Sequence, residues 1–123
     1  MDFAKILTIV TKCAERNTPV IVYSGPGRGT WSTLQETLTG TGRPVIDLRL
    51  YAVHDDSAFA IPEDSNAILF VSEFYGNPTA KTRLLEFLRN KPKNVSVVCV
   101  KVHSEDDLGA PLANRLIHLR RDN

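Results

Sequence analysis

The chain has 123 residues, with 15 Lys and Arg against 14 Asp and Glu, a formal net charge of +1. That length makes one domain, and the near-neutral balance removes the simplest argument for a nucleic-acid or acidic-membrane partner. At 42% hydrophobic and 24% charged, with seven Gly and seven Pro, the chain is neither disordered nor collagen-like, and no apolar run approaches the ~18 residues of a membrane span.

Asp2 is placed to N-cap a first helix, in which Phe3, Ile6, Leu7, Val10 and Ala14 fall at helical spacing. Asn17 and Pro19 close it, and the charges running through this N-terminus do not read as a signal peptide. Val20-Ile21-Val22-Tyr23 is a short continuous apolar run, as in a strand buried on both faces of a parallel sheet. A glycine-rich turn, 24–29, leads into a second helix with Trp31, Leu34 and Leu38 on one stripe, ending near Gly40. Val45 to Leu50 reads as an edge or near-edge strand, because apolar and polar residues alternate late in the run. Tyr51 to Ser65, with His54, Asp55, Asp56, Glu63 and Asp64, reads mostly as loop. A third strand runs from Ala67 to Val71. A third helix spans Pro78 to Asn90, with Asn77 as its cap and a stripe of Leu84, Leu85 and Leu88. Val95 to Val102 is the fourth strand, a helical turn follows near Pro111 to Asn114, and Leu116 to Leu119 forms the fifth strand. Alternating strands and helices predict a single α/β domain with a mainly parallel five-stranded sheet and helices on both faces.

Cys13 and Cys99 are the two cysteines. With no secretory signal they read as free buried thiols in a reducing, cytoplasmic compartment. They cannot build a zinc site alone, and His54, His103 and His118 lack ligand spacing, so neither a metal nor a cofactor is expected. The informative stretch is Ser24, Gly25, Pro26, Gly27, Arg28, Gly29, Thr30 and Trp31. It lies between a buried strand and a helix, where glycines let backbone amides converge on an anion. A working phosphate-binding loop ends in Gly-Lys-Ser/Thr, the lysine contacting phosphates and the hydroxyl holding magnesium. Thr30 and Trp31 occupy those two positions here. A ligand-free strand-to-helix turn is therefore as good a reading as an anion site.

Four segments together resemble an AAA+ ATPase core, closest to the MoxR branch. Tyr23 to Trp31 resembles a Walker A loop. Gly42 to Leu50 resembles the family's second strand, and Ile68 to Phe74, followed by Asn77-Pro78, resembles the Walker B strand and the helix after it. Pro111 to Leu119, with Asn114 and Arg115, resembles the arginine-finger segment. The resemblance implies a three-layer P-loop NTPase-like fold over residues 1–123 with strand order 5-1-4-3-2. The departures are equally specific. Besides Thr30 and Trp31, Ser72 stands at the Walker B aspartate position, although Glu73 keeps the catalytic glutamate position. The sensor position falls in Val100-Lys101-Val102-His103, with no asparagine. The segment between the second and third strands is short, and the sequence stops at Asn123, so the resemblance implies a core without the family's helical lid. Phosphoryl transfer rests on positioning and charge neutralisation, and loss of an arginine finger alone costs about 10³–10⁵ in rate. Losing the lysine and the metal-handling side chains together argues against an enzyme.

Each remaining candidate has a plain alternative. Glu73 also reads as a solvated or capping carboxylate, Arg115 as a surface ion pair, and Arg28 as a solvated turn arginine rather than a replacement charge. Trp31 reads as a core or cap residue, or as a filler of the former nucleotide pocket. Lys81, Arg83, Arg89, Lys91 and Lys93 form a basic set around one helix that reads first as a solvated face. The expectation is a catalytically inactive AAA+-like module acting by protein contact, through self-assembly or by docking on an AAA+ ATPase and presenting Arg115. So reduced a module suits a viral or mobile-element genome. Two alternatives stay open. One is a nucleic-acid-binding module using the basic helix with Arg115, Arg120 and Arg121. The other is a non-hydrolysing nucleotide sensor holding phosphates with Arg28 and loop amides.

Overall fold

The computed structural model describes residues 1–102 and 108–122. Helix α1 (Phe3–Glu15) begins where the Asp2 carboxylate accepts the Lys5 amide, and it ends where Asn17 turns left-handed at φ 54°. That turn brings the Thr18 amide back to the Cys13 carbonyl at 2.9 Å, satisfying an orphan acceptor of the last turn. Strand β1 (Val20–Ser24) leads into α2 (Thr30–Thr39), then β2 (Val45–Arg49). Between β2 and β3 (Ile68–Ser72) lie three single 3₁₀ turns rather than plain loop. The second strand is one residue shorter than its pattern suggests, because Leu50 begins the first of those turns and buries its side chain. Helix α3 (Pro78–Arg89), β4 (Ser96–Val102), the short α4 (Ala110–Ala113) and β5 (Ile117–Arg120) complete the chain.

All five strands run parallel in the order β2-β3-β4-β1-β5, which is the expected 5-1-4-3-2 read from the other edge. The three inner strands are the mainly apolar runs, buried along both faces except at Val102, while β2 at the edge is buried nowhere along its length. On one face α1 and α2 pack Ile6, Val10, Leu34 and Leu38 against Val20, Val22, Phe70 and Val98. On the other, α3 and α4 pack Leu84, Leu88 and Leu112 against Ile21, Leu69, Val97 and Cys99. Burying one such side chain contributes about 1.5–3 kcal/mol. At the N-terminal end of the sheet Arg43 joins four segments. Its guanidinium donates to the carbonyls of Ala14, Asn66 and Asn94 and to the Asn17 side chain at 2.7–3.1 Å.

This topology positions a cleft. The chain leaves β1 for α2 on one face and leaves β3 for α3 on the other, and β1 and β4 are neighbours, with Ser24 opposite Val102. Such a switch point leaves a crevice at the carboxyl ends of the strands.

Candidate functional site

The glycine-rich turn caps the carboxyl end of β1. Gly27 and Gly29 hold φ of 73° and 69°, a conformation that a side chain would strain, so these two positions require glycine. Gly29 is also the N-cap of α2 and has no side chain to satisfy the helix amides, which are left without a side-chain cap. Arg28 folds back over the turn. Its Nε lies 3.3 Å from where a Cβ on Gly25 would stand, and its guanidinium has no acceptor among the described residues.

Thr30 is buried at the cleft wall, with its hydroxyl engaged by the loop. Its hydroxyl lies 2.6 Å from Ser24 Oγ, and Ser24 Oγ lies 3.2 Å from the Gly25 carbonyl. Arg121 Nη1 donates to Thr30 Oγ1 at 2.8 Å and to the Arg28 carbonyl at 3.3 Å. Since Arg121 can only donate, the order of donation is Arg121 to Thr30, Thr30 to Ser24, and Ser24 to the Gly25 carbonyl. The guanidinium lies 3.9 Å above the Phe3 ring, and the Arg121 amide donates to the Tyr23 carbonyl at 2.9 Å. A residue from beyond β5 thus braces the loop from behind.

Trp31 departs from its reading as a core or cap residue. It is 41% exposed, while its stripe partners Leu34 and Leu38 are fully buried. It stacks on Phe70 of β3 at 5.7 Å and lines the cleft with the rest of its surface. Ser72 lies buried at the end of β3. Glu73 follows it at φ 56°, a left-handed conformation unusual for a side-chain-bearing residue. Its Oε2 is shielded, lies 3.7 Å from Arg49 Nε, and accepts no hydrogen bond among the described residues. The Glu73 carbonyl accepts the Tyr51 amide at 3.0 Å.

The cleft encloses about 820 Å³ between this loop and the ends of β2, β3 and β4. Eight lining residues were absent from the sequence-derived site residues, among them Asp47, Arg49, Tyr75 and Lys101, the last named only within the sensor segment. Asp47 and Arg49 alternate along β2, and Lys101 is a lone lysine in an otherwise apolar strand, so the pattern held a signal for each. Lys101 is buried, donates to the Val102 carbonyl at 3.3 Å and is engaged in a further interaction. Desolvation, then the neighbouring Glu73 carboxylate and Tyr51, push the Tyr75 hydroxyl above its ordinary pKa. His103 lies outside the described residues.

The remaining candidates lie apart from the cleft. Asn114 and Arg115 are exposed just before β5, and the Arg115 guanidinium has no partner among the described residues. On and after α3, Arg83 pairs with Asp56, Arg89 with Glu86 at 2.9 Å, and Lys91 Nζ donates to the carbonyls of Pro92 and Val95 at 3.0 and 2.7 Å. Lys81 is half-buried and engaged, and Lys93 is exposed. Arg120 lies over the Tyr23 ring at 5.4 Å. The Tyr23 hydroxyl in turn meets His118 Nδ1 at 2.9 Å, while His118 Nε2 meets the Ala113 carbonyl at 2.7 Å. A carbonyl only accepts, so Nε2 carries the proton and Nδ1 accepts from the tyrosine.

No family model and no curated protein sequence matches the chain. Solved structures do. An alanine-to-serine mutant of Thermotoga maritima RuvB superposes with a TM-score of 0.70 at 15% identity, covering 97% of this chain and 44% of that one. The structure titled RuvB Holliday junction branch migration motor, also from Thermotoga maritima, gives 0.68 at 16% identity with the same coverage. An arginine-to-alanine mutant of the same protein gives 0.68 at 14%, covering 99% and 46%. The chain therefore spans less than half the length of these neighbours. Its parallel sheet, strand order and helical layers are those of the AAA+ P-loop core.

Proposed function

We propose that the chain is a non-hydrolysing AAA+-like module, of MoxR-like type, that acts by contact with another protein. One observation carries the reading: the side chain at the lysine position of the loop, Thr30, is committed inward to Ser24 and Arg121. Two features support it. Trp31 stands where a metal-holding hydroxyl would be, and Ser72 cannot replace a metal-binding carboxylate. Phosphoryl transfer without a phosphate-binding cation and a held metal lacks its main electrostatic stabilisation. The exposed Arg115, beside Asn114, is the candidate contact with an AAA+ ATPase or a second copy of the chain. Two buried free thiols support a reducing, cytoplasmic setting.

A non-hydrolysing nucleotide sensor is the second reading, favoured by the open cleft and by Arg28 lying over the loop. Calorimetry with ATP and magnesium, beside a phosphate-release assay, separates the two. The first reading expects neither heat of binding nor release above the protein-free rate. A micromolar isotherm, about −8 kcal/mol, supports the sensor, and turnover overturns both readings. For the contact itself, light scattering and pull-down compare wild type with Arg115→Ala. Loss of a buried interfacial charge costs about 2–5 kcal/mol, whereas a solvated arginine changes the result little.

A further inference from the structure

Among the described residues seven large apolar side chains are exposed, and three of them, Trp31, Tyr75 and Val102, line the cleft. Tyr75 is 61% exposed and stacks at 5.1 Å on Tyr51, itself 43% exposed. The exposed aromatic surface of the chain is thus concentrated at the carboxyl end of the sheet. Tryptophan and tyrosine offer large, rigid contact area, and together with arginine they dominate the energetics of protein interfaces.

Charge selects the occupant. The cleft presents Arg28, Arg49 and Lys101 against Asp47 and Glu73, a balance of +1. Arg49 already faces Glu73, and Lys101 is engaged. Asp47, the carboxylate left over, lies on β2, three strands away from β1, and Arg28 therefore remains as the cation over the loop, at the start of α2. That set complements a single carboxylate. It does not complement a polyphosphate with several charges and a metal, whose place is taken by an indole. The volume of about 820 Å³ falls within the ~300–1,000 Å³ of ligand-enclosing pockets.

We propose that the cleft is a docking site for a segment of a partner protein in which a carboxylate side chain adjoins a large apolar one. The carboxylate pairs with Arg28 and the loop amides, and the apolar side chain lies between Trp31 and Tyr75. This rests on the protein-contact reading above and assigns it a surface distinct from Arg115. Trp31 is the single tryptophan of the chain, so occupancy is readable from its own fluorescence.

The test titrates the full chain with a pool of decapeptides alternating Asp or Glu with Phe or Leu, and with a control pool carrying Asn and Gln instead. The acidic pool is expected to shift Trp31 emission saturably, and the amide pool to bind about tenfold more weakly. Arg28→Gln, read by Trp31 emission, and Trp31→Phe, read by calorimetry, should each weaken binding about tenfold. Lys12→Ala, on the exposed face of α1, should leave it unchanged. No saturable shift with either pool, equal binding of the two pools, or binding indifferent to Arg28→Gln and Trp31→Phe overturns the proposal. So does displacement of the acidic pool by micromolar ATP with magnesium, which makes the cleft a nucleotide site. Failure of peptide binding without ATP turnover removes only this surface, whereas turnover removes the non-hydrolysing reading itself.

Discussion

Replacing Arg121 by alanine tests whether the loop is held by a residue from the opposite end of the chain. Three terms set the size of the effect. The charged hydrogen bond to Thr30 Oγ1, at 2.8 Å, is worth about 1.5–3 kcal/mol. Stacking over Phe3 at 3.9 Å adds about 0.5–1 kcal/mol. Against these, Arg121 Nε is shielded without an acceptor among the described residues, and its removal returns about 1 kcal/mol. The net expectation is a loss of about 1–3 kcal/mol, read in urea as a fall in midpoint of about 1 M with unchanged slope. Since Thr30 is the shared partner, Thr30→Val should forfeit much of the same interaction. The double variant should then show a coupling of about 1 kcal/mol. Additive single effects, or an Arg121→Ala variant within about 0.3 kcal/mol of wild type, would refute the brace and leave the loop held by its glycines alone.

Asn77 both caps α3, accepting the Ala80 amide at 3.1 Å, and donates to the carbonyls of Tyr51 and Val53 at 2.9 Å. It does so at φ 49°. Asn77→Ala should lose about 2–4 kcal/mol in urea unfolding, since cap, bridge and backbone preference go together. Glu73→Gly should gain about 0.5–1 kcal/mol, because relief of its left-handed backbone exceeds the loss of a 3.7 Å pairing in which Arg49 is largely exposed and the shielded Oε2 accepts no hydrogen bond among the described residues; a loss of stability instead would mean that the carboxylate holds the cleft. The Ser57 hydroxyl and amide hold the Asp55 carboxyl below its ordinary pKa. A depressed folded pKa contributes stability that is present above the unfolded value, about 3.9, and lost as pH falls through the folded one. Melting curves from pH 6 downward should therefore show a steeper acid limb for wild type than for Asp55→Asn.

The order of elements was legible because the punctuation is local. Asp2, Asn17 and the Asn77-Pro78 pair start and stop helices through hydrogen bonds spanning three to five residues, and unbroken apolar runs mark β1, β3 and β4 as interior strands. Strand order came from the resemblance, since nothing in β1 alone states that β4 will lie beside it. The site was legible as a list of altered positions but not as an arrangement. The direction of Thr30 depends on Arg121, 91 residues away, and such long-range pairing leaves no periodic trace. Trp31 was misread for a related reason. Helical spacing put it on the stripe of Leu34 and Leu38, and it does stack on Phe70, but it also lines the cleft, which is nearer the pocket-filling alternative. The basic set on α3 looked continuous in sequence because Asp56, which pairs with Arg83, comes from the segment before β3.

The geometry of a phosphate loop can outlast its chemistry because the two have different physical causes. Loop shape follows from φ at Gly27 and Gly29, from the packing of α2 on β1, and from the Arg121-Thr30-Ser24 chain. None of these needs a phosphate or a metal. By the resemblance, the lysine and hydroxyl positions of a phosphate loop fall at Thr30 and Trp31. Thr30 is a strut of the loop, and Trp31 is part of an aromatic wall that Tyr75 continues. A pocket altered only by drift would be expected to close, or to cover its aromatic rings. This one keeps about 820 Å³ open and holds a 41% exposed tryptophan at its mouth. An exposed ring of that size carries a standing cost in water that burial against a ligand would recover. An open cleft beside an inward-bonded Thr30 is what the proposed binding role requires, and the phosphate-release assay decides whether turnover is absent.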